Sequence, residues 1–278
     1  MPGDRPGPVT GRTSGDSPVP VASAAPGGGP AAAANRAPGA SGAPAPFAEG
    51  VPCWVDAQLP DVEAGKRFYG ELFGWTFEEA YGSSAWASLD GQPVAALAPK
   101  HDGRMPTVWT VYFAAPDATA LARRIGAAGG QVIMAPLPVD RLGTTVLAAD
   151  PEGAVFGLWQ PGTHAGFGRR HVRGTFCWAE LYARDTAIVD RFYGTLFHDA
   201  LFGPDATPDF GRAVVSDVFP AEMPPHFLVH FGVKDCEETL GAVQRLGGRV
   251  QATPFDTSYG RVAVVTDSQG ASFAVLQR

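Results

Sequence analysis

The sequence predicts an α+β fold made of two tandem modules, each an antiparallel or mixed sheet with helices on one face. Three observations carry that expectation. First, CWVDAQLPDVEAGKRFYGELFGW at residues 53–75 returns as CWAELYARDTAIVDRFYGTLFHD at 177–199. Cys53, Asp61 and Phe68 match Cys177, Asp185 and Phe192 at an offset of 124. Asp117, Gly129-Gly130 and Pro136 match Asp235, Gly247-Gly248 and Pro254 at 118, and Gly143, Asp150, Gly153 and Gln160 match Gly260, Asp267, Gly270 and Gln277 at 117. The internal period therefore sets the architecture, and its shrinking offset puts the deletions in loops of the second copy. Second, the apolar spacing switches between period two and helical spacing in the same order in both copies. Third, an aspartate stands before each helical stretch, and a glycine pair closes the second one in each copy.

The elements follow in order. CWVDAQL and CWAELYA alternate as short strands ending at a Pro or Asp boundary. Asp61 and Asp185 sit at helix N-caps; Val62, Phe68, Tyr69, Leu72 and Phe73 recur at helical spacing, as do Ile188, Phe192, Leu196 and Phe197. SAWASLDGQPVAALA and GRAVVSDV, then TVWTVYFAA and FLVHFGV, have strand composition. Asp117 and Asp235 open the second helices, DATALARRIGAAGG and DCEETLGAVQRLGG. Each module ends with two strands joined by an Asp-Pro-Glu-Gly or Asp-Ser-Gln-Gly turn. The expected organisation is a first module at 48–162, a polar, Gly-rich linker at 163–172 and a second module at 173–278. Residues 1–47 contain 34 Ala, Gly, Pro or Ser, too little apolar surface to offset ordering entropy, and read as a disordered tail.

Composition bounds the function. With 278 residues and 45% apolar content the chain can bury a sizeable core. A net charge of −7 without basic runs argues against nucleic acid as a partner. Cys53, Cys177 and Cys236 form no CxxC pair, so neither a disulfide framework nor a zinc knuckle is expected. Flanking the strand tryptophans, Cys53 and Cys177 are expected to point away from them as buried, inert thiols. No long apolar run and no secretion signal is visible, so a cytoplasmic location and no membrane partner are expected. Nucleotide-binding glycine motifs and GxSxG are absent, which leaves nucleotide cofactors and serine hydrolysis unsupported.

The opening strand, the DVEAGKRFYGELFGW helix and the DPEGAVFGLW ending resemble the vicinal oxygen chelate superfamily, which includes glyoxalase I, bleomycin-resistance proteins and extradiol dioxygenases. The resemblance spans residues 48–278. It implies modules of βαβββ type that curl a mixed sheet into a cup with helices outside. It also implies metal ligands, His or Glu, on each module's first and last strands. Aligned on the helix aspartate and on the Asp-x-x-Gly turn, those places hold Trp54, Gly157, Trp178 and Ala274. None offers a cation a basic lone pair. No metal and no cofactor are therefore expected, and glyoxalase or dioxygenase chemistry loses its Lewis acid.

Indoles in place of ligands make flat apolar walls suited to a planar aromatic guest; core packing is the other reading of Trp54 and Trp178. Trp159 and Tyr112 join them as pocket candidates. Asp56 and Glu180, two residues beyond the tryptophans and so on the same strand faces, are candidates for acid/base chemistry or for binding a cationic group, unless they lie at the rim. His230, which matches Tyr112, is a candidate proton shuttle or a satisfied strand residue. Arg169, Arg170, Arg173 and His171 form the one basic patch, most simply solvated. Duplicated members of the superfamily described as hydroxylase-like include accessory proteins of aromatic polyketide routes such as anthracycline biosynthesis. That resemblance implies a protein that binds a hydrophobic aromatic small molecule, sequestering it or assisting its oxidative tailoring by another enzyme. The rival expectation is a metal-free isomerase, cyclase or hydrolase using Asp56, Glu180 or His230.

Overall fold

The computed structural model describes residues 47–278 except 101, 105, 208, 216, 217 and 221. The tail expected at 1–47 lies outside the described residues but for Phe47. The first half of the chain runs β1 (Pro52–Leu59), α1 (Val62–Phe73), β2 (Thr76–Glu79), β3 (Ala85–Leu89), β4 (Gln92–Pro99), β5 (Trp109–Ala114), α2 (Ala118–Ala127), β6 (Gln131–Val139), β7 (Gly143–Ala149) and β8 (Val155–Pro161). The second half runs β9 (Phe176–Ala183), α3 (Thr186–Leu201), β10 (Phe210–Val214), β11 (His226–Val233), α4 (Cys236–Arg245), β12 (Arg249–Thr257), β13 (Gly260–Thr266) and β14 (Ser272–Gln277).

Two mixed sheets result. One has eight strands in the order β2-β3-β4-β1-β5-β8-β7-β6, the other six in the order β10-β9-β11-β14-β13-β12. β1 pairs β4 in parallel and β5 antiparallel, and β5 pairs β8 in parallel, so each half of the first sheet is a β-α-β-β-β unit. The second sheet repeats the central pairing around β9, β11 and β14, but among the described residues β10 alone follows α3, so its first unit is shorter. Three strands are not placed by residue patterning, although the βαβββ resemblance implies three strands after each helix. β2, β6 and β12 are edge strands with little burial, and β6 carries Pro136 and Pro138, which only an edge tolerates.

The helices start as the aspartates require. The side chains of Asp61, Asp117, Asp185 and Asp235 each accept a hydrogen bond from a backbone N–H in the first helical turn. α1 and α3 do more than cover their own sheets, because each lies against the sheet of the other half. Phe68 and Phe73 of α1 meet Phe273 and Phe231; Phe192 and Phe197 of α3 meet Phe156 and Phe113. The two sheets therefore share one apolar core, with these helices between them.

A pair of matched clasps closes that interface. Buried Asp150 and Asp267, the first residues of the two Asp-x-x-Gly turns, each accept two backbone N–H bonds within the turn. Each also accepts from a tyrosine of the opposite half: Tyr193 Oη to Asp150 Oδ2 at 3.3 Å, Tyr69 Oη to Asp267 Oδ2 at 2.9 Å. The same turns dock beside the opposite helix start, where Glu152 accepts from the backbone N–H groups of Arg184 and Asp185, and Gln269 bonds both ways with the backbone of Asp61. The repeated Phe-Tyr-Gly and Asp-x-x-Gly motifs thus hold the duplicated halves to each other. The face of each sheet away from the helices is left to build a site.

Candidate ligand-binding site

Strand register places the candidate residues in one row on each helix-free face. Trp54 on β1, Tyr112 on β5 and Gly157 on β8 are cross-strand neighbours, and Trp178 on β9, His230 on β11 and Ala274 on β14 repeat them. Trp54 and Trp178 are 5% and 6% exposed. Alternation carries Asp56 and Glu180 onto the same faces.

On the first face, large rings lie flat on glycines. A Cβ on Gly157 would come within 2.1 Å of the Tyr112 ring, and one on Gly143 within 2.6 Å of Trp159. With Gly157 bare, the Tyr112 phenol reaches Asp56 and donates to Oδ2 at 2.8 Å. Asp56 Oδ1 is buried with no hydrogen-bond partner. Burial raises the Asp56 pKa to about 6, against the lowering effects of the Tyr112 bond and of the Thr110 hydroxyl on the paired strand. The segment after β8 covers this face. His164 sits 4.4 Å from Trp54, 4.6 Å from Trp86 and 5.7 Å from Trp159 between ring centroids, and its carbonyl accepts from Trp159 Nε1 at 2.8 Å. Burial among three indoles lowers its pKa to about 4.

The second face is filled differently. Trp178 rests on Gly211, where a Cβ would stand 2.3 Å from the indole, and Tyr259 stacks on its other side at 4.9 Å and 19°. Glu180 Oε2 accepts from Trp178 Nε1 at 2.5 Å and from Tyr259 Oη at 3.1 Å. Burial raises the Glu180 pKa while both hydrogen bonds oppose the rise. His230 is fully buried, with Nδ1 3.2 Å from the Leu228 carbonyl and Nε2 without a partner. Burial drives its pKa down to about 3, so the ring is neutral at physiological pH.

Neither face fits a divalent cation. Among the described residues no three His, Cys, Asp or Glu side chains converge. At the four places where the superfamily resemblance puts ligands stand two indoles, a glycine covered by Tyr112 and Ala274.

Two expectations need correction. The segment 163–172 is no solvated spacer: His164 and Phe167 are buried, Phe167 stacks on Phe176 at 5.0 Å, and Arg170 and His171 both pair with buried Asp209. Cys177 does not point away from the site face, because a register shift between β9 and β11 turns it to line a cleft of about 580 Å³ beside Arg173 and Arg278. Its thiol is nonetheless buried, with the pKa pushed up to about 12 chiefly by burial, so it is inert as expected. Sequence reasoning missed His164, Trp86, Tyr259 and the supporting Gly143 and Gly211. Tyr259 carried one readable signal, as the 117 offset matches it to Leu142 just before a repeated glycine.

Residues 53–158 match the sequence profile of the Glyoxalase/Bleomycin resistance protein/Dioxygenase superfamily. The anthracycline biosynthesis protein DauV of Streptomyces sp. (strain C5) is 37% identical over 265 residues, covering 83% of this chain and 94% of that protein. The chain belongs to this superfamily. A second superfamily relative, the anthracycline biosynthesis protein DnrV of Streptomyces peucetius, is 36% identical over 261 residues, with 83% and 94% covered. Among solved structures, the Mn(II)-bound glyoxalase from Novosphingobium aromaticivorans superposes with a TM-score of 0.56 at 15% identity, over 82% of this chain and 83% of that one. That likeness to a glyoxalase/dioxygenase superfamily structure shows the shared fold alone.

Proposed function

We propose that the protein binds a hydrophobic, planar aromatic small molecule of secondary metabolism without a metal ion, sequestering it or presenting it for oxidation by another enzyme. The observation that carries this reading is the repeated row on the helix-free faces, in which an indole stands at the start of the row and a carboxyl two residues further on, half-buried in Asp56 and buried in Glu180. Indole faces attract planar rings, and a carboxyl in an apolar surround fixes their orientation through one strong hydrogen bond. The names of the two Streptomyces relatives support the class of molecule, an aromatic polyketide.

In this reading Trp54 and Trp178 supply stacking surface, Trp159 and the Tyr112 ring seated on Gly157 complete the first wall, and Ala274 leaves room for ring atoms. Asp56 and Glu180 accept from the guest's hydroxyl groups. The test is titration of intrinsic tryptophan fluorescence with a panel of aromatic polyketides and of simple aldehydes, followed by product analysis. Saturable quenching by the polycycles alone, with every compound recovered unchanged, is the expected result; consumption of any compound overturns it.

One observation favours a second reading. The Asp56 carboxyl, held near pKa 6 with one oxygen unpartnered, matches the range in which a general acid or base works best at neutral pH. A metal-free isomerase, cyclase or hydrolase would use it. Asp56→Asn then abolishes product formation and leaves binding nearly intact, whereas a pure binder shows no product with either protein.

A further inference from the structure

We propose that Tyr259 stands in for the ligand of the second sheet: its phenol holds the place of a hydroxylated planar ring, which on binding displaces Tyr259 and donates hydroxyl hydrogen bonds to Glu180 and to Nε2 of His230. The proposal rests on the binding function proposed above and names the ligand class and the gate at one of its two faces.

The stacking of Tyr259 on Trp178, with its hydroxyl directed to Glu180, is the arrangement a phenolic guest would adopt on an indole wall beside a buried carboxyl. Tyr259 is free to leave in a way its neighbours are not. It belongs to the turn between β12 and β13 rather than to a strand, it is half-buried, and its phenol has Glu180 as its hydrogen-bond partner. Rotating the side chain outward breaks the hydrogen bond to Glu180, the stack on Trp178 and the edge contact with His230 without disturbing the pairing of β13 with β14.

His230 is the independent sign that something else belongs there. The Leu228 carbonyl is an acceptor, so Nδ1 carries the proton and Nε2 presents a lone pair. That lone pair is fully buried and unpartnered, with the imidazole ring 6.4 Å from the Tyr259 ring at 77°. A buried acceptor without a donor is costly, and the group that relieves it must bring an O–H or N–H. Tyr259 spends its single hydroxyl on Glu180. A ring with two hydroxyl groups on adjoining positions would satisfy both acceptors. Tyr259 packs against the apolar cluster that also holds Phe219, Met223 and Ala252, and those three line a cavity of about 450 Å³.

The first sheet lacks this combination. Its counterpart of His230 is Tyr112, whose hydroxyl already serves Asp56, and its counterpart of Tyr259 is Leu142, whose carbonyl anchors Gly162 and His164 of the covering segment. The duplicated halves have therefore diverged, and the turn-borne ring beside an orphan acceptor belongs to the second.

The test titrates the full chain with 2,3-dihydroxyanthraquinone and with unsubstituted anthraquinone, using wild type, Tyr259→Ala, Tyr259→Phe and His230→Phe. Removing the resident ring should tighten the dihydroxy compound by about tenfold, and removing only its hydroxyl by roughly fivefold, the worth of one hydrogen bond. His230→Phe should reduce the preference for the hydroxylated over the bare ring. Tyr259→Phe keeps the stack, so it carries the test should Tyr259→Ala fail to fold, as judged by its thermal melt. If wild type binds but neither Tyr259 variant binds more tightly, or if the two compounds bind alike, the stand-in is refuted while aromatic binding survives. If no protein binds either compound, the binding function falls, and this inference with it.

Discussion

Replacing Asp56 with asparagine removes a buried charge while keeping an acceptor for Tyr112, so its effect on stability follows from the carboxyl's pKa. That value is 3.8 in an ordinary setting and about 6 in the folded protein, raised mainly by burial. For an acid raised on folding, the sign is a loss of stability as pH climbs: between pH 3.8 and 6 the unfolded chain sheds the proton that the folded chain keeps. Below that window both forms are neutral, and above it the full penalty persists. Taking each unit as about 1.4 kcal/mol, linkage gives a penalty of about 3 kcal/mol at pH 8 and about 1 kcal/mol at pH 4.5. Asp56→Asn should therefore raise stability by up to that amount at pH 8 and by roughly a third as much at pH 4.5. Urea denaturation followed by far-ultraviolet circular dichroism at the two pH values measures the difference. An asparagine variant whose stability change is the same at both pH values, or larger at pH 4.5, would refute the burial argument and with it the poised carboxyl.

Further outcomes concern the rings and the clasps. Gly157→Ala drives a methyl to about 2.1 Å from the Tyr112 ring; overpacking should cost ~1–3 kcal/mol in urea denaturation, and Tyr112→Ala in the same chain should recover part of it. His164 has its pKa lowered from 6.5 to about 4, so the unfolded state takes up a proton first and wild type loses stability as pH falls through that window. His164→Leu should lose less stability than wild type between pH 7.5 and pH 5 in thermal melts. Tyr69→Phe strips the buried bond to Asp267 and the acceptor for Trp109 Nε1; it should cost ~1–3 kcal/mol, and Tyr193→Phe, which loses one bond, should cost less in the same assay.

Much of the architecture was legible because duplication writes its signature twice. Matched offsets pointed to two tandem modules, which the two sheets fit, and the four aspartates at helix starts were read correctly from spacing. The edge strands β6 and β12 were not, since strands with one partner and an exposed face need neither continuous apolar residues nor freedom from proline. Alternation put Trp54 with Asp56 and Trp178 with Glu180, a local inference from period two. What covers those faces was not local. His164 reaches Trp54 from 110 positions away and Tyr259 reaches Trp178 from 81 positions away, and nothing in either neighbourhood announces the contact. The role of Gly157 was hidden for the same reason: read alone it is an absent ligand, whereas beside Tyr112 it is the floor that lets a phenol lie flat and reach Asp56. Cys177 misled because a single extra residue in β9 reverses the side on which a side chain emerges.

The most direct measurement is calorimetric titration of the exhaustively chelated full chain, its metal content checked by elemental analysis, with 2,6-dihydroxyanthraquinone, a planar guest without a chelating pair of oxygens, before and after addition of Mn(II). Saturable binding to the stripped protein, with an affinity that Mn(II) leaves unchanged, is the predicted result. Binding that disappears on chelation and returns with the cation would contradict the account, because it would require a ligand set that Trp54, Gly157, Trp178 and Ala274 do not supply.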